Sequence, residues 1–134
     1  MRPAIVSVLV LIAVATAGCG AVAPVTSGDP AVGKALFIKN CGSCHTLADA
    51  KTTGTVGPDL DNAFLADKQQ GFELSTITDV VRGQIAYAET NTGSGYPGMP
   101  SNLLKGQDAK DVAVYVAKCA GVPSCGVTAA SVHS

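Results

Sequence analysis

Apolar side chains recur at helical spacing along residues 30–40. Val32, Leu36 and Phe37 share one face of such a helix, because residues three to four positions apart are neighbours on its surface. Asp29 precedes this stretch and can cap its free amide groups, and the proline that follows it tolerates the first helical position. The pattern predicts a helix over residues 30–40 with one apolar face.

A second apolar stripe lies near the C-terminal end of the chain. Its members follow the spacing i, i+3, i+4 and i+7: Val112, Tyr115, Val116 and Cys119. Asp108 lies where such a helix would begin, and Gly121 lies where it would end, since glycine readily adopts the left-handed conformation that closes a helix. This amphipathic pattern is the most regular one in the sequence.

Weaker helical signals lie between these two segments. Residues 75–86 predict a shorter helix, and residues 60–65 predict a single helical turn. The remaining sequence is rich in Gly, Pro, Thr and Asn and has no alternation of apolar and polar residues typical of strands. We therefore predict an all-α protein with long loops.

The first part of the chain has the order of an export signal. Arg2 precedes an apolar run, and small residues follow the run before Cys19. The run is shorter than the roughly 20 apolar residues that a membrane-spanning helix needs, so we expect residues 1–18 to be removed on export. The end of this segment resembles a lipobox, whose cysteine is lipidated. Because Thr16 departs from the usual leucine, a plain secreted form is the alternative.

The composition changes on either side of the central part of the chain. Residues 19–28 carry no charge and have no apolar period, which predicts a flexible tether. Small polar residues follow Gly126 and predict a flexible tail at 127–134. A single folded domain with one modest core would then occupy residues 29–126.

The charge balance excludes one class of function, and the aromatic content points to a cofactor. Removal of Arg2 with the signal leaves eight Lys and Arg against ten Asp and Glu, a formal net charge of −2. Such a chain lacks the basic excess that nucleic-acid binding requires. Only 4% of residues are aromatic and there is no Trp, so a bulky apolar cofactor would fill a core that is short of large side chains.

One short motif carries the candidate chemistry. Cys41 and Cys44 are spaced to reach the two vinyl groups of a porphyrin, and His45 follows directly to reach the iron, as in the attachment sequence of haem c. Half a zinc site, a redox dithiol and a structural disulfide are the alternatives. For zinc, the other histidine is His133 in the tail, and a thioredoxin-like dithiol lacks its alternating strands. We predict covalent haem c.

The sequence resembles the class I cytochrome c family over about residues 29–121. The resemblance rests on four features in the family's order: the haem motif directly after the first helix, the turn Gly57-Pro58-Asp59-Leu60, the pair Met99-Pro100 and the terminal segment Asp111–Ala117. It implies the cytochrome c fold, in which helices with long loops surround one covalently bound haem. It also implies that the first and last helices cross, with Gly33 and Phe37 against Tyr115, although each of these residues also suits an ordinary core position.

The resemblance further implies the two axial ligands of the iron. His45 is the first, and the carbonyl of Pro58 accepts a hydrogen bond from its free ring nitrogen. Met99 is the second and the only methionine left after Met1 is removed. Core filling is the commoner role of methionine, but Met99 lies between Gly and Pro in a predicted loop. The approach at 84–98 is longer than in the family, which leaves the haem edge and the partner surface open.

Two further cysteines lie near the C-terminal end. Five residues separate Cys119 from Cys125, and a disulfide is the natural state of such a pair in an exported protein. A free thiol pair and an additional metal site are the alternatives, since a sequence does not show whether the geometry closes. All five cysteines would then have a role, with Cys19 carrying lipid.

These predictions favour an electron carrier rather than an enzyme, because an iron with two protein ligands has no vacancy for a substrate. Methionine ligation favours Fe(II) and therefore suits a high-potential acceptor such as a terminal oxidase. We expect an electron-donor complex and such an acceptor as partners in a respiratory or photosynthetic chain, in the periplasm or on the outer face of the plasma membrane. An electron-entry subunit of an oxidase or dehydrogenase complex is one alternative. A haem enzyme or gas sensor, with a displaceable Met99, is another.

Overall fold

The computed structural model describes residues 27–88, 90 and 98–131, and this part of the chain forms five helices and one short pair of strands. In chain order the elements are α1 (Pro30–Asn40), β1 (Thr46–Leu47), β2 (Thr52–Thr53), α2 (Leu60–Ala63), α3 (Leu65–Gln69), α4 (Leu74–Ala86) and α5 (Gly106–Cys119). The predicted all-α architecture is confirmed.

Several predictions concern residues outside the described part of the chain. These are the export signal at 1–18, lipidation of Cys19, most of the tether at 19–28, residues 91–97 of the long approach and His133 in the tail. Of the helices that the structure describes, none combines the length and apolar character needed to cross a bilayer.

Helix α1 has the predicted bounds, and the predicted cap explains its start. The Asp29 carboxylate accepts hydrogen bonds from the backbone N–H of Ala31 at 2.8 Å and of Val32 at 3.4 Å. Helix α4 begins one residue before the predicted 75–86 and ends as predicted. Helix α5 begins two residues before Asp108, because no side chain caps its first turn and so no residue type marks its start in the sequence.

Two short elements differ from the expectations. The strands β1 and β2 pair antiparallel, with Thr46 opposite Thr53 and Leu47 opposite Thr52. Strands of two residues are too short to produce an alternating pattern, so the sequence could not reveal them. The predicted single turn at 60–65 is followed by a second helical turn, α3, which extends the helical segment.

The core forms where α1 and α4 each pack against α5. At the α1–α5 crossing, a side chain on Gly33 would overlap the backbone of Asp111 and come within 2.8 Å of the Tyr115 Cβ. Glycine is therefore required at this close approach. Phe37 and Tyr115 pack edge to face, with ring centroids 5.9 Å apart. The predicted contact between the first and last helices is confirmed.

The composition predicts a frayed tail from residue 127 onward. In the structure, the first residues of this tail are attached to α1. The Lys34 ammonium donates to the carbonyl of Val127 at 2.8 Å, and the Ala130 N–H donates to the carbonyl of Ala31 at 2.9 Å. Small polar residues form no periodic pattern, so the sequence contained no signal for these contacts. They depend on backbone groups and on one lysine of α1.

Candidate haem-binding site

The cysteine motif continues α1 as a tight turn. The N–H of Cys41 donates to the carbonyl of Phe37 at 2.8 Å, and the N–H of His45 donates to the carbonyl of Cys41 at 2.9 Å. The Cys41 side chain is buried, whereas the Cys44 side chain is exposed. Burial, with a smaller contribution from Cys44, raises the pKa of the Cys41 thiol to about 11. The motif therefore presents the Cys41 thiol toward the core, and the more exposed Cys44 lines one of the two cavities described below.

The turn that contains Pro58 holds the imidazole of His45. Its Nδ1 lies 2.9 Å from the carbonyl oxygen of Pro58, in the predicted hydrogen bond. When Nδ1 carries the proton and donates to this oxygen, Nε2 remains as the electron-pair donor of the ring. A side chain on Gly57 would collide with the imidazole, because a Cβ there would lie 2.7 Å from Nδ1. Gly57 is therefore required for the ring to sit in this turn.

Two aspartates connect the Pro58 turn to the rest of the fold. Asp59 caps α2 by accepting a hydrogen bond from the Asp61 N–H at 2.9 Å. Asp61 in turn accepts hydrogen bonds from the N–H of Ala48 and of Gly121, each at 2.7 Å. The carboxylate of Asp61 thus links the segment after His45 to the end of α5. Sequence reasoning did not identify this role.

Met99 lies in the loop that precedes α5 and packs against the edge of the core. The chain reaches it through a close contact, since a Cβ on Gly98 would lie 2.5 Å from the Cα of Thr90. Gly98 therefore lies in close contact with Thr90. A side chain at that position would push the loop and Met99 away.

Two adjoining cavities share Cys41, His45 and Met99 as lining residues. Apolar side chains from several elements complete the first cavity: Phe37, Leu60, Phe64, Val81, Ile85, Val112 and Val116. The second cavity is completed partly by Val56, Pro100 and Leu103. An apolar space lined by a thiol, an imidazole and a thioether fits the donor set of haem c.

The sequence did not reveal two parts of the apolar wall of the site. One is Phe64, between α2 and α3, and the other is a face of α4. Val81 and Ile85 lie four residues apart on one face of α4, and this spacing is the signal that could have revealed them. The predicted helix was recognised at this place, but its apolar face was not assigned to a partner. That face points into the space for the cofactor.

A buried polar cluster joins the segment after His45 to α1 and α5, and it was also not predicted. Asp49 forms an ion pair with Lys34 at 2.9 Å and accepts hydrogen bonds from the Tyr115 hydroxyl at 2.8 Å and the Cys125 N–H at 3.2 Å. Burial raises the pKa of Asp49, but the bonds from Lys34 and Tyr115 outweigh it, so this pKa lies below its usual value. Burial and the bond to Asp49 raise the pKa of Tyr115.

The predicted disulfide between Cys119 and Cys125 is present, with the two Cα atoms 5.3 Å apart. Their sulfur atoms also lie close to the Asp49 carboxylate. Because both sulfurs are used in the disulfide, this group offers no thiolate for a metal ion. The alternative of an additional metal site therefore finds no support in the described part of the chain.

A helical fold around an apolar space, with a Cys-x-x-Cys-His turn and a methionine on its walls, defines a c-type cytochrome. Residues 30–120 match the sequence model of the Cytochrome c family, and the chain belongs to that family. It therefore contains haem c with its iron, covalently bound, and has the electron-carrier function typical of the family, whose members exchange electrons with redox proteins.

A solved structure supports the same assignment. The chain is similar to the c-type cytochrome SorU from Sinorhizobium meliloti, with 29% sequence identity and a TM-score of 0.51. The similarity covers 69% of this chain and 91% of SorU. No curated protein matches this chain.

Proposed function

We propose that this chain is a mono-haem electron carrier of a respiratory or photosynthetic chain, in which His45 and Met99 ligate the iron and Cys41 and Cys44 form the thioethers. The observation that carries the proposal is that Cys41, His45 and Met99 line the same two apolar cavities. The thiols, the ring nitrogen and the thioether are the groups that attach and ligate haem c in such proteins.

The surroundings of His45 support its role as a ligand. The carbonyl of Pro58 holds Nδ1 at 2.9 Å, which orients the ring and increases the basicity of Nε2. Gly57 leaves the space that the ring needs. The Pro58 carbonyl and the space left by Gly57 thus hold the ring in one orientation.

Met99 would determine the redox preference of the site. When bound, the haem supplies a one-electron Fe(II)/Fe(III) couple. The Met99 thioether is a soft, neutral donor that favours Fe(II), and the apolar walls from α1, α4 and α5 exclude water and further disfavour the additional charge of Fe(III). These features suit electron delivery to a high-potential acceptor such as a terminal oxidase, from an electron-donor complex.

The site of action that we propose is the periplasm or the outer face of the plasma membrane, with Cys19 as a lipid anchor. The basic and apolar start of the chain and its lipobox-like end support this proposal. The disulfide between Cys119 and Cys125 supports an oxidising compartment.

Replacement of Met99 tests the proposed ligation. The oxidised protein should show the weak far-red absorption of sulfur-to-iron charge transfer, and Met99→Ala should abolish it and lower the reduction potential. The same variant should bind carbon monoxide in the reduced state, because an axial position becomes free. Leu103→Ala is the matched control, since Leu103 lines the same cavity without a donor atom.

The outcomes separate the proposal from its alternatives. A far-red band that survives Met99→Ala would show that another group ligates the iron. Rapid binding of carbon monoxide by the unsubstituted reduced protein would instead favour a gas sensor or haem enzyme with a displaceable methionine. Loss of the band in Met99→Ala alone, with Leu103→Ala unchanged, supports the carrier.

Intact-mass measurement of the membrane-extracted protein tests the anchor. We expect an N-terminal Cys19 that carries acyl chains, and we expect Cys19→Ala to leave the membrane fraction. An unmodified N-terminus after cleavage at another position would refute the anchor and favour a plain secreted carrier.

A further inference from the structure

Helix α4 ends without a cap of its own. Its last residue is Ala86, and Tyr87 follows with φ −133° and ψ 58°, so no left-handed glycine closes the helix. The Tyr87 N–H donates to the carbonyl of Gly83 at 2.8 Å. The carbonyls of Ile85 and Ala86 have no partner within the helix, as is general for the last turn, and they need one from elsewhere.

The residues that follow Met99 supply these partners. The backbone N–H of Asn102 donates to the carbonyl of Ile85 at 2.7 Å, and its side-chain amide donates to the carbonyl of Ala86 at 3.2 Å. The Ser101 hydroxyl accepts a hydrogen bond from the N–H of Ala88 at 3.1 Å. The methionine loop is the stretch 98–105 that contains Met99 and precedes α5. Two of its successive residues thus make three hydrogen bonds to the end of α4 and to Ala88 just beyond it. We call them the Ser101–Asn102 clamp.

The backbone of Asn102 is adapted to this contact. Its φ of 59° lies in the left-handed region, and Lys51 is the one other non-glycine residue of the described chain with a positive φ. Asparagine tolerates this conformation better than most residues. The conformation directs both the backbone N–H and the side-chain amide of Asn102 to adjacent carbonyls of α4.

The clamp lies close to the proposed ligand in both sequence and space. Ser101 and Asn102 follow Met99 by two and three residues, and Ile85 and Met99 line the same cavity. Ile85 is buried at 4% exposure, so the end of α4 to which the clamp attaches is fixed in the core. Any movement that carries Met99 away from the cavity pulls on this attachment.

We propose that Ser101 and Asn102 are positioning residues that slow the release of Met99 from the haem iron. This inference rests on the proposed function, since it requires Met99 as a ligand. Release of the thioether requires its loop to move outward, and the loop can move only when bonds of the clamp to Ile85, Ala86 and Ala88 open. Loss of one neutral hydrogen bond should therefore accelerate release about fivefold.

The binding of imidazole to the oxidised haem protein measures this step. At saturating imidazole the observed rate becomes the rate at which the native sixth ligand leaves. Asn102→Gly keeps the left-handed backbone and its bond to Ile85 but removes the bond to Ala86. Ser101→Ala removes the bond to Ala88, and Ser101→Thr restores the hydroxyl. We expect the first two variants to raise the limiting rate about fivefold and Ser101→Thr to return it toward the original value.

Thr78→Val is the matched control for a general weakening of α4. The Thr78 hydroxyl donates to the carbonyl of Leu74 at 2.8 Å in the same helix, about two turns before the carbonyls to which the clamp attaches. The limiting imidazole rate of Thr78→Val should equal that of the unsubstituted protein. Equal acceleration in Thr78→Val and in the clamp variants would refute the inference, as would unchanged rates in Asn102→Gly and Ser101→Ala.

The far-red band distinguishes this failure from that of the proposed function. If the band is absent from the unsubstituted protein or survives Met99→Ala, Met99 is not the ligand and both proposals fall. If the band depends on Met99 but the clamp variants release the ligand at the original rate, only the clamp is wrong.

Discussion

The two sides of the haem site are supported in different ways. On the His45 side, the segment that follows the histidine contains Asp49, a buried carboxylate at 8% exposure that attaches this segment to α1, α5 and the segment of the disulfide. The Met99 side is held by Ser101 and Asn102, which are both exposed and bond to the end of one helix. Hydrogen bonds near solvent open more easily than buried ones, so we expect the methionine side to open locally while the histidine side opens only when the protein unfolds.

This comparison concerns the function as well as the stability. An electron carrier needs a fixed geometry in both oxidation states, because rearrangement slows electron transfer. A rigid histidine side provides the frame, and a clamp on the methionine side limits release of the weaker ligand. The following predictions each break one of the two sides.

The largest effect is expected when the covalent attachment on the histidine side is removed. Cys41→Ala combined with Cys44→Ala should yield protein without covalent haem and without a cooperative unfolding transition. The apolar walls of both cavities would face water, and the chain has little other large apolar material for a core. Absorption spectra after acid–acetone extraction and urea unfolding followed by circular dichroism would measure both losses.

Removal of the disulfide provides the control for this prediction. Cys119→Ala with Cys125→Ala should keep covalent haem and a cooperative transition, with a loss of about 2 kcal/mol in unfolding free energy. A well-folded apo-protein from the Cys41 and Cys44 double variant would contradict the expectation that the cofactor completes the core.

The next effect concerns the buried support of the histidine side. Asp49→Asn should lower the unfolding free energy at neutral pH by about 3 kcal/mol, because it leaves the Lys34 ammonium without its counter-charge and weakens the bond from Tyr115. The far-red band should persist in the folded variant, since no contact of the methionine loop is changed. Urea titration monitored by haem absorption would measure the loss.

The pH dependence of the unfolding free energy, compared between the original protein and Asp49→Asn, tests the role of the Asp49 charge. The pKa of Asp49 in the folded state lies below the value of 3.8 that it has without the fold, so the ionised carboxylate stabilises the protein above that pH. This contribution is lost as the pH falls from 3.8 through the folded-state pKa. The difference in unfolding free energy between the original protein and Asp49→Asn should therefore shrink in this acid range. A difference that does not change with pH would refute the ionic contribution.

The smallest effects should come from one added methyl group on each side. Gly57→Ala would press on the imidazole of His45, and Gly98→Ala would press on Thr90 beside the methionine loop. Each substitution should lower the unfolding free energy by about 1–3 kcal/mol through overpacking. We expect Gly57→Ala to change the histidine environment and global stability. Gly98→Ala should mainly weaken the far-red band and accelerate imidazole binding.

Gly83→Ala is the matched control for both. A Cβ on Gly83 meets no atom within 4 Å, and the residue lies inside α4, so alanine should stabilise the protein by up to about 1 kcal/mol. If Gly57→Ala and Gly98→Ala had the same spectral and kinetic effects, the two sides of the site would not differ in the way the structure indicates.

The sequence by itself determined the elements and groups whose signals are local. Asp29 before proline marks the start of α1, and the periodic stripe marks α5. The five residues from Cys41 to His45 identify haem c, because the chemistry of attachment requires these residue types at this spacing. The bond from His45 to the carbonyl of Pro58 was predictable because the Gly-Pro turn resembles that of the cytochrome c family.

Only the tertiary structure decided how the two sides are supported. Asp49 bonds to residues up to 76 positions away, and a single buried aspartate in a sequence has no pattern that names its partners. The clamp likewise depends on the unpaired carbonyls at the end of α4, which every helix end possesses. Backbone carbonyls are the same in every residue, so they carry no sequence signal that names the loop that satisfies them, and the packing of α4 on α5 is needed to identify Ser101 and Asn102 as their partners.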